Sequence, residues 1–181
     1  MKKDIVALIA NSKKYLSDYW EKTLLQRLPG GAGSYILGIQ TKEELENLLK
    51  ELKWEKYNHP NIKPPAHGYK ATLPSGIKGV LGIIKLSHLP SDTPVLLDDR
   101  KNTGKISAVV ELPEKQLPEV NYIVLIAGPH PEKPEVEVVW TFHPGDPIRP
   151  SEVETDPSLV NKTVFVKEAL ALGLEWAKVS Y

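Results

Sequence analysis

The stretch NYIVLIAGPHPEKPEVEVVWTF, residues 121–142, holds two β-prone runs separated by a turn. "NYIVLIAG" (121–128) and "VEVVWTF" (136–142) are rich in Val, Ile and aromatic residues, which suit a pleated, half-buried surface. "PHPEKP" between them concentrates prolines, which end a strand and favour a turn. A connection this short joins antiparallel neighbours, because a parallel pair needs a crossover of about a dozen residues or more. The first run is apolar without alternation, which predicts a central strand covered on both faces. In the second, alternation puts Val136, Val138, Trp140 and Phe142 on one apolar face. Glu137, Val139, Thr141 and His143 then share the other, and "PGDP" turns the chain directly after His143.

Working outward, three more runs have the same character: "GVLGIIKL" (79–86), "PVLLD" (94–98) and "KISAVVEL" (105–112). Turn-rich segments such as "DDRKNTG" link them, so residues 79–148 are expected to form one antiparallel meander. Upstream, residues 3–28 have Ile5, Leu8, Ile9, Leu16, Tyr19, Trp20 and Leu24 at helical spacing. "LPGGAG" stops that helix, and a short strand "SYILGI" follows. Thr41 with Glu44 three residues later forms a capping box that opens a second helix, whose stripe is Leu45, Leu48, Leu49 and Leu52. "NHPNIKPPAHGYKATLPSG" (58–76) lacks apolar periodicity and reads as a long surface loop or lead-in to the sheet. In the tail (162–181), "VFVKEALALG" is a short helix ending at Gly173, and "LEWAKVSY" returns as a last strand.

The result is an α+β fold: N-terminal helices (1–58) packed on a mainly antiparallel β-sheet, with a short C-terminal helix. At 181 residues the expectation is a single domain with a substantial core. Hydrophobic residues make up 41% and charged residues 25%, values that separate the chain from disordered sequences. Cys is absent, which excludes disulfides, thiol catalysis and cysteine-ligated metal. No apolar run is long enough to cross a bilayer and no signal-peptide pattern is present, so a soluble, cytoplasmic protein without membrane association is expected.

The 23 basic residues are balanced by 23 acidic ones, so a nucleic-acid ligand requires a local patch rather than a basic domain. Arg27, Arg100 and Arg149 are the only arginines, which limits bidentate phosphate clamps. There is no HExxH, GxSxG or Walker pattern; no cofactor or metal site is expected, and metal, serine-hydrolase and NTP chemistry lack support.

The candidate site residues lie at strand ends. Thr141 and His143, two residues apart on one strand face, can both reach a single ligand atom, and imidazole exchanges protons near neutral pH. Lys85 ends a strand and His88 follows it in "IKLSH"; a lysine beside a histidine can hold developing negative charge. Asp98, Asp99 and Arg100 occupy a hairpin, where Asp is favoured for backbone reasons as well as for cation binding. For each residue the plainer role is structural: a polar strand end, a solvated lysine or a turn.

Taken together, "IKLSH", "DDRK" and "WTFHPG", on a meander with leading helices, resemble the small metal-independent ribonucleases and ribonuclease toxins of the barnase and colicin type. The resemblance covers residues 79–148. It implies a hydrolase acting on RNA, with His143 as acid or base, Lys85 and Arg100 as phosphate ligands, Thr141 as a positioning donor and His88 nearby. The flat charge balance and the missing glutamate base depart from that family. Net neutrality and the low arginine count fit better an alternative, a non-catalytic protein-binding module of the immunity or adaptor type, whose partner is a protein rather than RNA.

Overall fold

The computed structural model describes residues 2–30, 33–99 and 102–181. Among them the helices are α1 (Lys2–Tyr15), α2 (Ser17–Gln26), α3 (Lys42–Glu51) and α4 (Val166–Ala171). The strands of the first half are β1 (Tyr35–Leu37), β2 (Glu55–Lys56), β3 (His67–Thr72), β4 (Lys78–Val80), β5 (Ile83–Lys85) and β6 (Pro94–Asp98). Those of the second half are β7 (Lys105–Glu111), β8 (Glu119–Val120), β9 (Tyr122–Pro129), β10 (Glu137–Pro144), β11 (Glu152–Glu154), β12 (Thr163–Phe165) and β13 (Trp176–Ser180). The fold is α+β, with N-terminal helices, antiparallel-rich sheets and a short C-terminal helix. No helix among the described residues is long and apolar enough to cross a membrane.

The chain gathers into two compact units, Met1–Leu81 with Glu119–Pro147, and Gly82–Pro118 with Ile148–Tyr181. The first contains a four-stranded antiparallel sheet in the order β10-β9-β3-β2 and a small sheet β1-β4-β8. α1, α2 and α3 cover one face of the larger sheet, where Ile5, Ile9, Trp20, Leu45 and Leu49 pack with Ile123, Leu125, Val139 and Phe142. The Trp20 and Phe142 rings lie 5.9 Å apart at its centre. Because β9 is central, Ile123, Val124 and Leu125 are all buried although consecutive, as its unbroken apolar run predicts.

β10 is an edge strand, and an edge exposes unpaired backbone groups that must be satisfied or shielded. Side chains of α1 and α2, and of the residue just after α2, do this. Asn11 Nδ2 donates to Glu137 O, Val139 N donates to Ser12 Oγ, and Tyr19 Oη donates to Trp140 O. Arg27 Nε donates to Phe142 O at 2.7 Å. Ser12 also returns a bond to Leu8 O, a pattern that bends helices. The expected helix over 3–28 is in fact two, broken at Leu16, whose φ of −142° and ψ of 47° leave the helical region. The break lets α1 and α2 approach β10 at different points. Thr41 caps α3 as expected: Glu44 N donates to Thr41 Oγ1 at 3.2 Å, and Thr41 Oγ1 donates to Glu44 Oε1 at 3.1 Å in place of the reciprocal backbone bond of a full capping box.

The second unit is a sheet in the order β12-β6-β7-β13-β5, with β11 also paired to β7. It is antiparallel except where β13 runs parallel to β7. Ile106, Ala108 and Val110 alternate inward from β7, and α4 contributes Val166 and Ala169 to the buried set. The tail has the expected short helix before Gly173 and then β13, but Val164 and Phe165, read as the start of that helix, belong to β12.

The single meander expected over 79–148 does not form. The hairpins β6–β7 and β9–β10 are present, but they belong to different sheets. The run 79–86 is also divided: β4 pairs with β1 and β8, and β5 pairs with β13. Short turn-rich connections identify adjacent hairpins correctly but carry no information about strands paired from distant parts of the chain. A further correction concerns 58–76, which contains β3 as well as loop. Its inward residues Tyr69 and Ala71 alternate with Gly68, Lys70 and Thr72, so it has little apolar signal.

Candidate functional site

The candidate site lies within the first unit, on the face of the β10-β9-β3-β2 sheet opposite the helices. A bulge in β10 determines which residues point there. Val139 pairs with Ala127 and Thr141 with Ile126, so Trp140 is the extra residue. Past the bulge, Phe142 faces the helical core and Thr141 and His143 face away from it. The expected sharing of one face by Thr141 and His143 therefore holds. The expected grouping of Trp140 with Phe142 does not: Trp140 lies across Gly128, where an added Cβ would be 2.5 Å from Trp140 Cζ2. Its indole N–H donates to Pro129 O at 3.1 Å. Val138, opposite Gly128, is on this same outer face.

Register places other side chains alongside. Val124 pairs with His143 on one side and with Lys70 on the other, so these three form one row across β10, β9 and β3. With strands about 4.8 Å apart, the outer members of such a row have Cα atoms ~10 Å from each other, a span long side chains can bridge through a ligand. Lys70 Nζ sits 4.2 Å from the centroid of Tyr122 and 5.0 Å from that of Tyr57, an ammonium between two aromatic faces. Tyr57 Oη donates to Asp146 Oδ1 at 2.5 Å. That bond, and then burial, push the Tyr57 phenol up to about 12. Burial and the Asp146 carboxylate also raise Tyr122. None of the ion pairs among the described residues involves Lys70 or Asp146.

Two local features orient His143. Gly145, with φ of 79°, makes the turn that L side chains disfavour, and its N–H donates to Tyr122 O at 3.3 Å. His143 Nδ1 is 3.4 Å from Pro144 O. A carbonyl only accepts, so the ring can meet Pro144 O only as a donor. Burial, with the Arg27 guanidinium as the next cause, holds the imidazole below its ordinary pKa of 6.5. Near neutral pH His143 is therefore a neutral proton acceptor. His143, Thr141, Lys70, Tyr57, Tyr122 and Asp146 are all partly exposed, so the group is neither sealed nor bare.

Lys85, His88, Asp98 and Asp99 lie in the second unit. Lys85 ends β5 opposite Trp176, and its Nζ is 3.5 Å from Glu175 Oε1. His88 is exposed at the end of a 3-10 turn, Leu86–His88. Arg100 lies outside the described residues. Lys85 therefore does not share a sheet with Thr141 and His143, for the reason that divided the meander. Asp99 accepts from Thr103 N and Gly104 N at 3.0 and 3.1 Å, the turn role that Asp favours in hairpins. Among the described residues, no group of three His, Asp or Glu is arranged to hold a metal ion.

Sequence reading misses Lys70, Tyr57, Tyr122 and Asp146. The period-two pattern of "HGYKAT" is the available signal for Lys70. Nothing local points to Tyr57 or Asp146, which meet across 89 residues of sequence. No protein-family model matches the chain, and neither a curated protein nor a solved structure matches it.

Proposed function

We propose that this sheet face cleaves RNA phosphodiesters without a metal ion, a ribonuclease-like activity of the toxin type. One observation carries the reading: a histidine whose burial favours its neutral form shares a sheet row with a lysine ammonium. In the proposed reaction His143 Nε2 takes the proton of a ribose 2′-hydroxyl while that oxygen bonds to phosphorus. The bond from phosphorus to the 5′-oxygen breaks, and the departing oxygen takes a proton from solvent. Lys70 faces the negative charge that develops on the phosphorane, and the Thr141 hydroxyl donates to a non-bridging oxygen. Asp146 holds Tyr57, and with Tyr122 that ring positions the ammonium.

Single-stranded RNA incubated with the purified protein in EDTA is the test. The expected product carries a 2′,3′-cyclic phosphate. His143→Ala abolishes cleavage without unfolding the chain, and Lys70→Ala lowers the rate by about 10²-fold, the usual cost of one charge-stabilising donor. No cleavage of varied RNAs, together with a stable stoichiometric protein complex, replaces the enzyme with the protein-binding module.

A further inference from the structure

A second site lies wholly within the second unit, on the outward face of its sheet. There a cleft of about 350 Å³ opens beside β7, β11 and β13, room for a small ligand. Ile106 and Ala108 point inward from β7, so alternation sends Lys105 and Ser107 to the outward face. On β13 Ala177 and Val179 are buried, and Lys178 faces outward with Val109, its partner in register. Glu152 joins from β11 as the register partner of Ser107. Thr103 adds a hydroxyl from the β6–β7 hairpin, whose turn Asp99 fixes by accepting from Thr103 N and Gly104 N.

Arg149 completes the lining, and its backbone is restrained before any ligand arrives. Pro150 fixes its own φ and confines Arg149, the residue before it, to extended conformations. Ser151 then staples the segment to β13. Its N–H donates to Trp176 O at 3.0 Å, and its Oγ accepts from Trp176 N at 2.9 Å and Glu175 N at 3.2 Å. A segment held in this way loses little further entropy on binding. The chain as a whole has equal numbers of basic and acidic residues, yet three cations and one carboxylate line this cleft. No ion pair among the described residues involves Lys105 or Arg149, although Glu154 sits opposite Lys105 in register. The contrast is Arg27, whose guanidinium is committed to Phe142 O and Ser34 O.

We infer that this cleft binds a phosphomonoester, a dianionic phosphate on a small hydroxylated body. The Arg149 fork donates to two phosphate oxygens, Lys105 and Lys178 supply charge, and the Ser107 and Thr103 hydroxyls donate to the phosphate from β7 and its hairpin. Phosphate fits better than carboxylate, because its three terminal oxygens spread in a tetrahedron and accept from donors on several strands at once. Glu152 accepts from a hydroxyl of the body, which favours a sugar-like phosphate over inorganic phosphate. This site shares no residue with the RNA-cleaving face and stands or falls independently of it.

Ribose 5-phosphate is the probe; ribose, which lacks the phosphate, and dimethyl phosphate, a singly charged diester, are the controls. Backbone amide shifts are followed by NMR at pH 7.5, where a phosphomonoester carries close to two charges, and at fixed ionic strength. Saturable shifts centred on Lys105, Ser107, Glu152 and Lys178 are expected with ribose 5-phosphate, weaker ones with dimethyl phosphate and none with ribose. Arg149→Gln should weaken binding by about tenfold or more, the cost of losing a charged, forked donor. Lys105→Gln should weaken it less, because an ammonium acts as a point charge. Lys115→Gln, the same charge change at an exposed residue of this unit outside the lining, should leave affinity within about twofold. Binding of ribose, dimethyl phosphate binding as tightly as the monoester, non-saturable shifts, shifts centred elsewhere, or equal affinity in a folded Arg149→Gln protein would each overturn the assignment.

Discussion

Arg27 connects the free edge of β10 to the chemistry of His143, so replacing it should produce two separable effects. In Arg27→Met the hydrocarbon stem is kept and the guanidinium is lost. Two charged-donor hydrogen bonds disappear, from Nε to Phe142 O at 2.7 Å and from Nη1 to Ser34 O at 3.0 Å. Bonds from charged donors contribute about 1.5–3 kcal/mol each, and water at the half-exposed edge restores part of that. The expected loss is about 2–4 kcal/mol, read as a lower urea midpoint with unchanged slope at pH 7.5. The second effect is electrostatic. The guanidinium is one of two causes depressing His143, so its removal should raise the imidazole pKa while burial keeps it below 6.5. Titration of the His143 ring protons by NMR measures this directly. Arg27→Lys separates the two effects: the charge remains, so His143 stays depressed, but the fork is lost and stability falls. A loss below about 0.5 kcal/mol, the ordinary scatter of surface changes, or an unmoved His143 in Arg27→Met would refute the account of both the edge and the site.

The other predictions are more local. Gly128→Ala should destabilise the first unit by about 1–3 kcal/mol, because the new methyl displaces the Trp140 ring lying across it; denaturant unfolding checks this, and a neutral result would mean that Trp140 swings away freely. Because His143 is depressed in the folded chain, the unfolded chain binds that proton more readily. Its contribution to stability is therefore complete above pH 6.5 and is lost as pH falls through the lower folded value. His143→Gln should flatten that part of the stability–pH curve, and unchanged curvature would count against a depressed histidine. Tyr57→Phe removes the bond to Asp146 and should eliminate the phenol that ionises near 12, visible in an ultraviolet titration.

Local chemistry makes much of the architecture legible in the amino-acid sequence. Thr41 sets a helix start because its hydroxyl satisfies an amide that the first helical turn leaves free. Gly173 marks the end of α4, and the unbroken apolar run of β9 shows that it is central. Thr141 and His143 are legible as neighbours on one face because, past residue 140, the alternation of β10 runs without interruption. What local sequence lacks is pairing at a distance. Whether β4 and β5 continue one strand or join separate sheets depends on partners contributed by β1, β8 and β13. The bulge at Trp140 turns one half of β10 relative to the other, and no pattern within 136–143 encodes it. Lys70 reaches the site through the register of β3 on β9, and Tyr57 meets Asp146 only once both ends of that sheet are in place. Period and capping are properties of neighbouring residues, so the sequence alone determined them. Register, face and edge protection are free-energy balances among segments far apart in the chain, and the tertiary structure decided them.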